Sequence, residues 1–142
     1  MTRDQLDAYV ACFNKLDTEG LCAYFADGVK LHLPPRTLGG PGRVLDGPAA
    51  IVEFYTSQSH LREEYIEPRF VAIDGDRIAA EFYTEFRAKT DVPHFFAMPL
   101  KSGDVFVFTG FVFYELENDK FKNIRVAGYS SDTSRVASAG AH

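Results

Sequence analysis

Gln5-Leu6-Asp7-Ala8-Tyr9-Val10-Ala11-Cys12-Phe13-Asn14-Lys15-Leu16-Asp17 is the stretch whose reading decides the fold. Leu6, Tyr9, Val10 and Phe13 fall at i, i+3, i+4 and i+7, so they share one stripe of a helix. Leu6, Ala8 and Ala11 favour that helix, and Asp4 in its first turn suits the positive end of the dipole. Val10 and Phe13 can bury against a sheet. Tyr9 stands on the same stripe but carries a hydroxyl, and a buried phenol needs a hydrogen-bond partner. The rest of the chain reads as a wall around that hydroxyl.

Outward from this helix, Asp17 ends it and caps a second one, Thr18 to Phe25, with Leu21, Tyr24 and Phe25 on its apolar side. Asp27-Gly28 is a turn signal. Val29, Leu31 and Leu33 then alternate with Lys30 and His32 as a half-buried strand that stops at Pro34-Pro35. A Gly/Pro-rich loop covers Arg36 to Gly42. Gly47-Pro48 opens a third helix, with Pro where its missing N–H costs nothing. Ile51, Phe54 and Tyr55 form its stripe, and it runs to about His60. Arg62 to Glu67 is charged and leads into a strand with Phe70, Val71 and Ile73, which turns at Asp74-Gly75-Asp76.

Ile78 to Arg87 is the next strand. It carries Phe82, Thr84 and Phe86 on one face and Glu81, Tyr83, Glu85 and Arg87 on the other. Lys89 to Gly103 breaks the pattern and reads as a lid or an interface. Asp104 to Leu116 is apolar on both faces, with Val107, Phe111 and Phe113 on one side and Phe106, Phe108, Val112 and Tyr114 on the other. Such a strand is covered twice, by helices on one face and by a second subunit on the other. Asn118-Asp119 turns the chain into a last strand, Phe121 to Ser131. The order is α+β: one domain over residues 1–131, followed by a flexible C-terminal tail, 132–142.

The chain of 142 residues holds 13 Phe and 7 Tyr but no Trp, which makes a thick core, a lined cavity or a greasy interface. A net charge of −5 argues against nucleic acid as a partner. No apolar run reaches membrane-spanning length, and the polar start at Thr2, Arg3, Asp4 and Gln5 is unlike a secretory leader. Cys12 and Cys22 have no CxxC or His pattern, so they read as free thiols in a reducing cytoplasm, with no metal site.

Tyr9-Val10-Ala11 followed by Asn14, then Tyr24-Phe25-Ala26-Asp27, then Gly47-Pro48-Ala49-Ala50-Ile51 and Glu53-Phe54-Tyr55, resembles the ketosteroid isomerases. More broadly, the chain resembles the NTF2-like superfamily with its SnoaL-like polyketide cyclases, from about Leu6 to Gly128. The resemblance implies a cone of three N-terminal helices packed on a curved, mostly antiparallel sheet. It also implies an enzyme without a cofactor that acts by proton transfer on a small hydrophobic carbonyl or hydroxyl compound, as an isomerase, cyclase or dehydratase. A non-catalytic ligand-binding or dimeric assembly domain is the alternative, since one fold hosts many functions. A homodimer through the open face of the sheet is expected in either case.

In the ketosteroid isomerases a first-helix tyrosine donates to the substrate oxyanion, and a third-helix tyrosine supports it. Those positions match Tyr9 and Tyr55. The general base is an aspartate on the first strand, where this chain has Leu33. A second acid would fall at or next to Phe111. Enolisation needs a base within about 3 Å of the proton it removes. His32, beside Leu33, and His94, with Asp91 to orient it, are the first bases to test. His32 shares the parity of Lys30, so it also reads as a solvent-facing residue. His60 with Glu63 and Glu64 reads as a solvated helix end. Tyr9 itself reads equally as a core phenol, and Tyr55 as packing. The expected pocket lining is Phe13, Phe25, Leu33, Phe54, Phe82, Phe86, Phe111 and Phe113.

Overall fold

The computed structural model describes residues 1–35, 42–95 and 98–137. Of the expected loop over Arg36 to Gly42, residues 36–41 lie outside the described residues, as do Phe96 and the tail from residue 138.

Helix α1 spans Arg3–Asn14 and starts two residues before its expected position, because Thr2 caps it. The Gln5 amide donates to Thr2 Oγ1 at 3.2 Å and the Thr2 amide donates to Gln5 Oε1 at 2.7 Å, a reciprocal capping box. Leu6, Tyr9, Val10 and Phe13 are all buried, as their spacing requires. Leu16 at φ 52° ends the run. Asp17 then caps α2, Thr18–Cys22, accepting from the Gly20 amide at 3.0 Å.

Helix α2 is shorter than expected because Phe25 already belongs to β1, Phe25–Leu33. Asp27-Gly28, expected as a turn, lies inside this strand, where the pairing register shifts between Phe25 and Lys30. Strand β2, Arg43–Asp46, had no expectation; it pairs antiparallel with β1. Helix α3, Pro48–Ser57, is entered through Gly47 at φ 91°, a conformation suited to glycine. It ends three residues short of His60.

Four long strands follow in pairs. Strand β3, Arg62–Asp74, and β4, Arg77–Ala88, form a hairpin, and the charged run Arg62 to Glu67 is part of the strand rather than a lead-in. Strands β7, Val105–Glu117, and β8, Lys120–Asp132, form another. Asn118 and Asp119, both at positive φ, make its two-residue turn. Between the hairpins, the expected irregular segment holds β5, Val92–Phe95, and β6, Met98–Leu100, as a small separate ribbon.

The main sheet runs β2-β1-β8-β7-β4-β3, with β1–β8 the parallel pair and the other neighbours antiparallel. The three helices pack on this curved sheet, the α+β arrangement expected. Two buried clusters fill it. The larger joins the α1 stripe to Ile51 of α3 and to Phe82, Tyr114 and Phe121 of the sheet. The smaller seats the β5–β6 ribbon on Phe86 and Phe106.

Strand β3 is an edge, and α1 seals it. Asn14 Nδ2 donates to the Ile66 carbonyl at 3.0 Å, and the Ile66 amide donates to Asn14 Oδ1 at 2.9 Å. A side-chain amide thus stands in for the missing neighbour strand. Residues 133–137 after β8 are packed against the domain rather than frayed, and the rest of the expected tail lies outside the described residues. Val136 is buried, and the Ala137 amide donates to Asp104 Oδ1 at 3.2 Å. No helix among the described residues is long and apolar enough to cross a membrane.

Candidate functional site

The pleat sends alternate residues of β3, β4 and β7 to the helix-covered side. On β4 these are Ala80, Phe82, Thr84, Phe86 and Ala88, all buried. Register places Ile66 beside Thr84 and Glu64 beside Phe86, so both point to the same side from β3. Three phenols reach this region from three elements: Tyr9 from α1, Tyr55 from α3 and Tyr114 from β7.

These four groups sense one another electrically. Burial pushes the Tyr9 hydroxyl far above the ordinary phenol range, and the Glu64 charge adds to it. Burial does the same to Tyr55, helped by Tyr9, Glu64 and Tyr114. Tyr114 is raised by burial and then by Tyr9. The phenols are therefore fixed as neutral donors. Burial pushes the Glu64 carboxyl up to about 7, against the opposing pull of the Arg62 guanidinium.

Among the described residues, no hydrogen bond joins the Tyr9, Tyr55 or Tyr114 hydroxyls or the Glu64 carboxyl to a protein partner. None is a sealed orphan either, since no enclosed polar side-chain atom lacks a partner. Tyr55 and Glu64 face open space, whereas Tyr9 and Tyr114 are buried behind them. A cleft of about 460 Å³ opens between the end of α1, α3 and β3. Phe13, Phe54, Tyr55, Arg62, Glu64 and Lys89 are on its wall. Phe13 meets Tyr55 edge-on at 5.0 Å, which holds the phenol ring in place. Arg62 lies over Phe86 at 5.3 Å and Phe95 at 5.1 Å, tying the cleft to the β5–β6 ribbon.

Tyr9 lies deeper than this cleft wall. Its ring is edge-on to Phe121 at 4.8 Å, Tyr24 at 5.5 Å and Phe25 at 6.2 Å. Phe25 and Phe82 are core residues beside the phenols, and Leu33 packs half-buried against the same cluster. Phe86 belongs to the smaller cluster under Arg62.

Other expected site residues lie elsewhere. Phe111 and Phe113 are 44% and 40% exposed on the outer face of β7, opposite Tyr114, so they do not line the interior. The alternation had separated them from Tyr114 without saying which side faces in. His32 also points outward, and its Nε2 donates to Asn123 Oδ1 at 3.1 Å. His94 is exposed on β5. Asp91 accepts from the Ser102 amide at 2.9 Å, so its placement is set by that loop. Neither His32 nor His94 lines the cleft.

Glu64, expected at a solvated helix end, is instead part of β3 and turned inward. The run Arg62-Glu63-Glu64 hides one inward carboxyl among outward charges. Its parity with Ile66, and pairing with the Phe82–Phe86 face, was the signal available. Among the described residues, no three His, Cys, Asp or Glu side chains converge as a metal site.

Comparison with known proteins places these features in a wider group. The family model of the SnoaL-like domain matches residues 6–124. No curated relative matches the chain by sequence. An NTF2-like protein of unknown function from Burkholderia pseudomallei K96243 superposes with a TM-score of 0.71 at 16% identity, over 91% of this chain and 92% of that one. A candidate polyketide cyclase from Xanthomonas campestris pv. campestris gives 0.68 at 22% identity, over 85% and 84%. TerC, co-crystallised with polyporic acid, gives 0.69 at 19% identity, over 89% of each chain.

Proposed function

Because the chain belongs to the SnoaL-like domain family, we propose that it is a cofactor-independent enzyme acting by proton transfer on a small hydrophobic carbonyl or hydroxyl compound. Isomerisation, cyclisation and dehydration share the chemistry this site suits. One observation carries the reading: a neutral phenol, Tyr55, and the Glu64 carboxyl share the wall of an open cleft on the apolar side of the sheet. Such a phenol binds a substrate oxygen and holds it more strongly as negative charge develops there. Tyr55 stands on the cleft wall, and Tyr9 on α1 is close enough to act on it electrostatically. That TerC was crystallised with polyporic acid supports a small-molecule ligand for this fold.

Thermal shift with a panel of polyketide-like and steroid-like ketones tests this. Stabilisation by at least one ketone, reduced in Tyr55→Phe and in Tyr9→Phe, is the expected result. No shift with any ketone, or shifts indifferent to both substitutions, contradicts it.

A binding module without catalysis is the second reading. It is favoured by Leu33 and Phe111 at the positions where the isomerases hold their acids. For either reading we propose a homodimer through the outer sheet face, where Phe70, Phe111 and Phe113 are exposed with Glu81 and Arg125 beside them. A face that is apolar and carries both signs of charge suits a second copy of itself.

A further inference from the structure

A proton-transfer enzyme needs a base, and the first-strand position offers Leu33. We infer that Glu64 is the base that removes and returns the substrate proton, working from β3 rather than from β1. The inference rests on the proposed reaction class and names its missing group. Four structural facts carry it. Glu64 points inward by its register opposite Phe86. It is on the wall of the cleft. It shares that wall with Tyr55, the donor proposed for the substrate oxygen. No hydrogen bond from a described residue occupies its carboxyl group, so its lone pairs remain available for a substrate C–H.

In the step itself, the Glu64 carboxylate takes the proton from the carbon next to the substrate carbonyl. That C–H bond breaks, and its electron pair moves to form the enolate, with the charge on oxygen. The neutral Tyr55 phenol hydrogen-bonds that oxygen without giving up its proton. The protonated Glu64 then returns the proton to the same carbon or to a conjugated one, and no oxidant or co-reactant is consumed. Arg62 acts on the Glu64 charge directly, and the other titratable groups around the cleft come from several elements. Arg62 and Glu63 are near it on β3, Tyr9 comes from α1 and Lys15 follows that helix, Tyr55 comes from α3, and Lys89 follows β4. A carboxyl pushed up to about 7 in this company is a stronger base than a solvated glutamate and still ionises near neutrality.

The test uses 2-tetralone as a flat ketone and 2-naphthol as a stand-in for its enolate. Deuterium exchange at the carbon next to the carbonyl is followed by NMR in D₂O, and naphthol binding by fluorescence. For the wild-type protein, exchange above the buffer rate is expected, rising with pH through about 7 to a plateau. E64Q is expected to lower exchange by about 10²–10⁴-fold while leaving naphthol affinity nearly unchanged, and E64D to restore part of the rate.

Exchange by folded E64Q at the wild-type rate, with the same pH midpoint, overturns the role of Glu64 and leaves the proposed function standing. Wild-type naphthol binding without exchange overturns both the base and the catalytic reading in favour of the binding module. Neither binding nor exchange removes the pocket reading together with its base. Should E64Q fail to fold, the E64D profile decides: an unchanged rate and midpoint counts against the assignment.

Discussion

The two faces of the same strands treat the same residue type in opposite ways. On the inner face, burial lifts Glu64 to about 7. On the outer face, burial also tends to raise Glu85, but hydrogen bonds from Arg135 at 2.9 Å and Tyr83 at 3.0 Å outweigh it, and the carboxyl ends below its ordinary range. Glu115, also outward, is lowered chiefly by its bond from Arg125, with Asn123 assisting. The aromatics split in the same way: Tyr114 is 2% exposed and its neighbour Phe113 is 40% exposed. The difference teaches that on the outer face Glu85 and Glu115 are held in paired charges while the rings stand open. The inner face is packed in its rings and open in its polar groups. A polar group left open beside packed rings is suited to a ligand, whereas open rings beside paired charges are suited to another protein surface.

The largest effect separating the faces is expected from Phe121→Ala and Phe113→Ala. Phe121 is fully buried, stacked on Tyr114 at 4.6 Å, and its loss costs about 3–5 kcal/mol. Phe113→Ala costs about 1 kcal/mol or less in an isolated protomer. Urea unfolding at low protein concentration measures both; equal losses break the comparison.

Glu64→Gln comes next, and its sign follows from linkage. A carboxyl whose folded pKa is raised binds its proton more tightly in the folded state. Its contribution to stability is full below the unfolded value near 4.5 and is lost as pH rises through about 7. Glutamine does not titrate, so the variant gains on the wild type by about 1–3 kcal/mol between pH 4.5 and pH 8. Unfolding curves across that range check it, and a gap that stays constant contradicts it.

Asn14→Ala removes both bonds to Ile66 and unseals the β3 edge, at a cost of about 1–2 kcal/mol. Hydrogen exchange at the Ile66 amide is the sharper readout, since it loses its acceptor directly. The last test, Phe111→Asp combined with Phe113→Asp, reads assembly rather than folding. It costs the protomer about 1 kcal/mol or less per position, yet converts the proposed dimer to a monomer in sedimentation. Unchanged mass would show that these rings do not form the contact.

Much of this architecture was legible because period and parity are local. The α1 stripe from Leu6 to Phe13 and the alternation of β4 follow from 3.6- and 2-residue repeats. Parity separates two faces but not inside from outside, which is why Phe111 and Phe113 were placed in the lining when their side of β7 faces out. The β5–β6 ribbon was hidden by Pro93 and Pro99, and β2 by its four-residue length. The Asp27-Gly28 signal marked a register shift within β1, where a local reading sees a turn. Of the site, Tyr9 and Tyr55 stand out by helical spacing. Glu64 did not, because a run of charges masks which member the sheet turns inward, and that depends on a partner strand distant in sequence.

The opposed behaviour of inner and outer carboxyls is the centre of this account. Carbon-13 NMR titration of the glutamate side chains tests it most directly, with E64Q identifying its own signal by loss. The Glu64 signal is expected to have a midpoint of about 7 while Glu85 and Glu115 titrate below the ordinary glutamate range. A Glu64 midpoint at the ordinary glutamate value would contradict it.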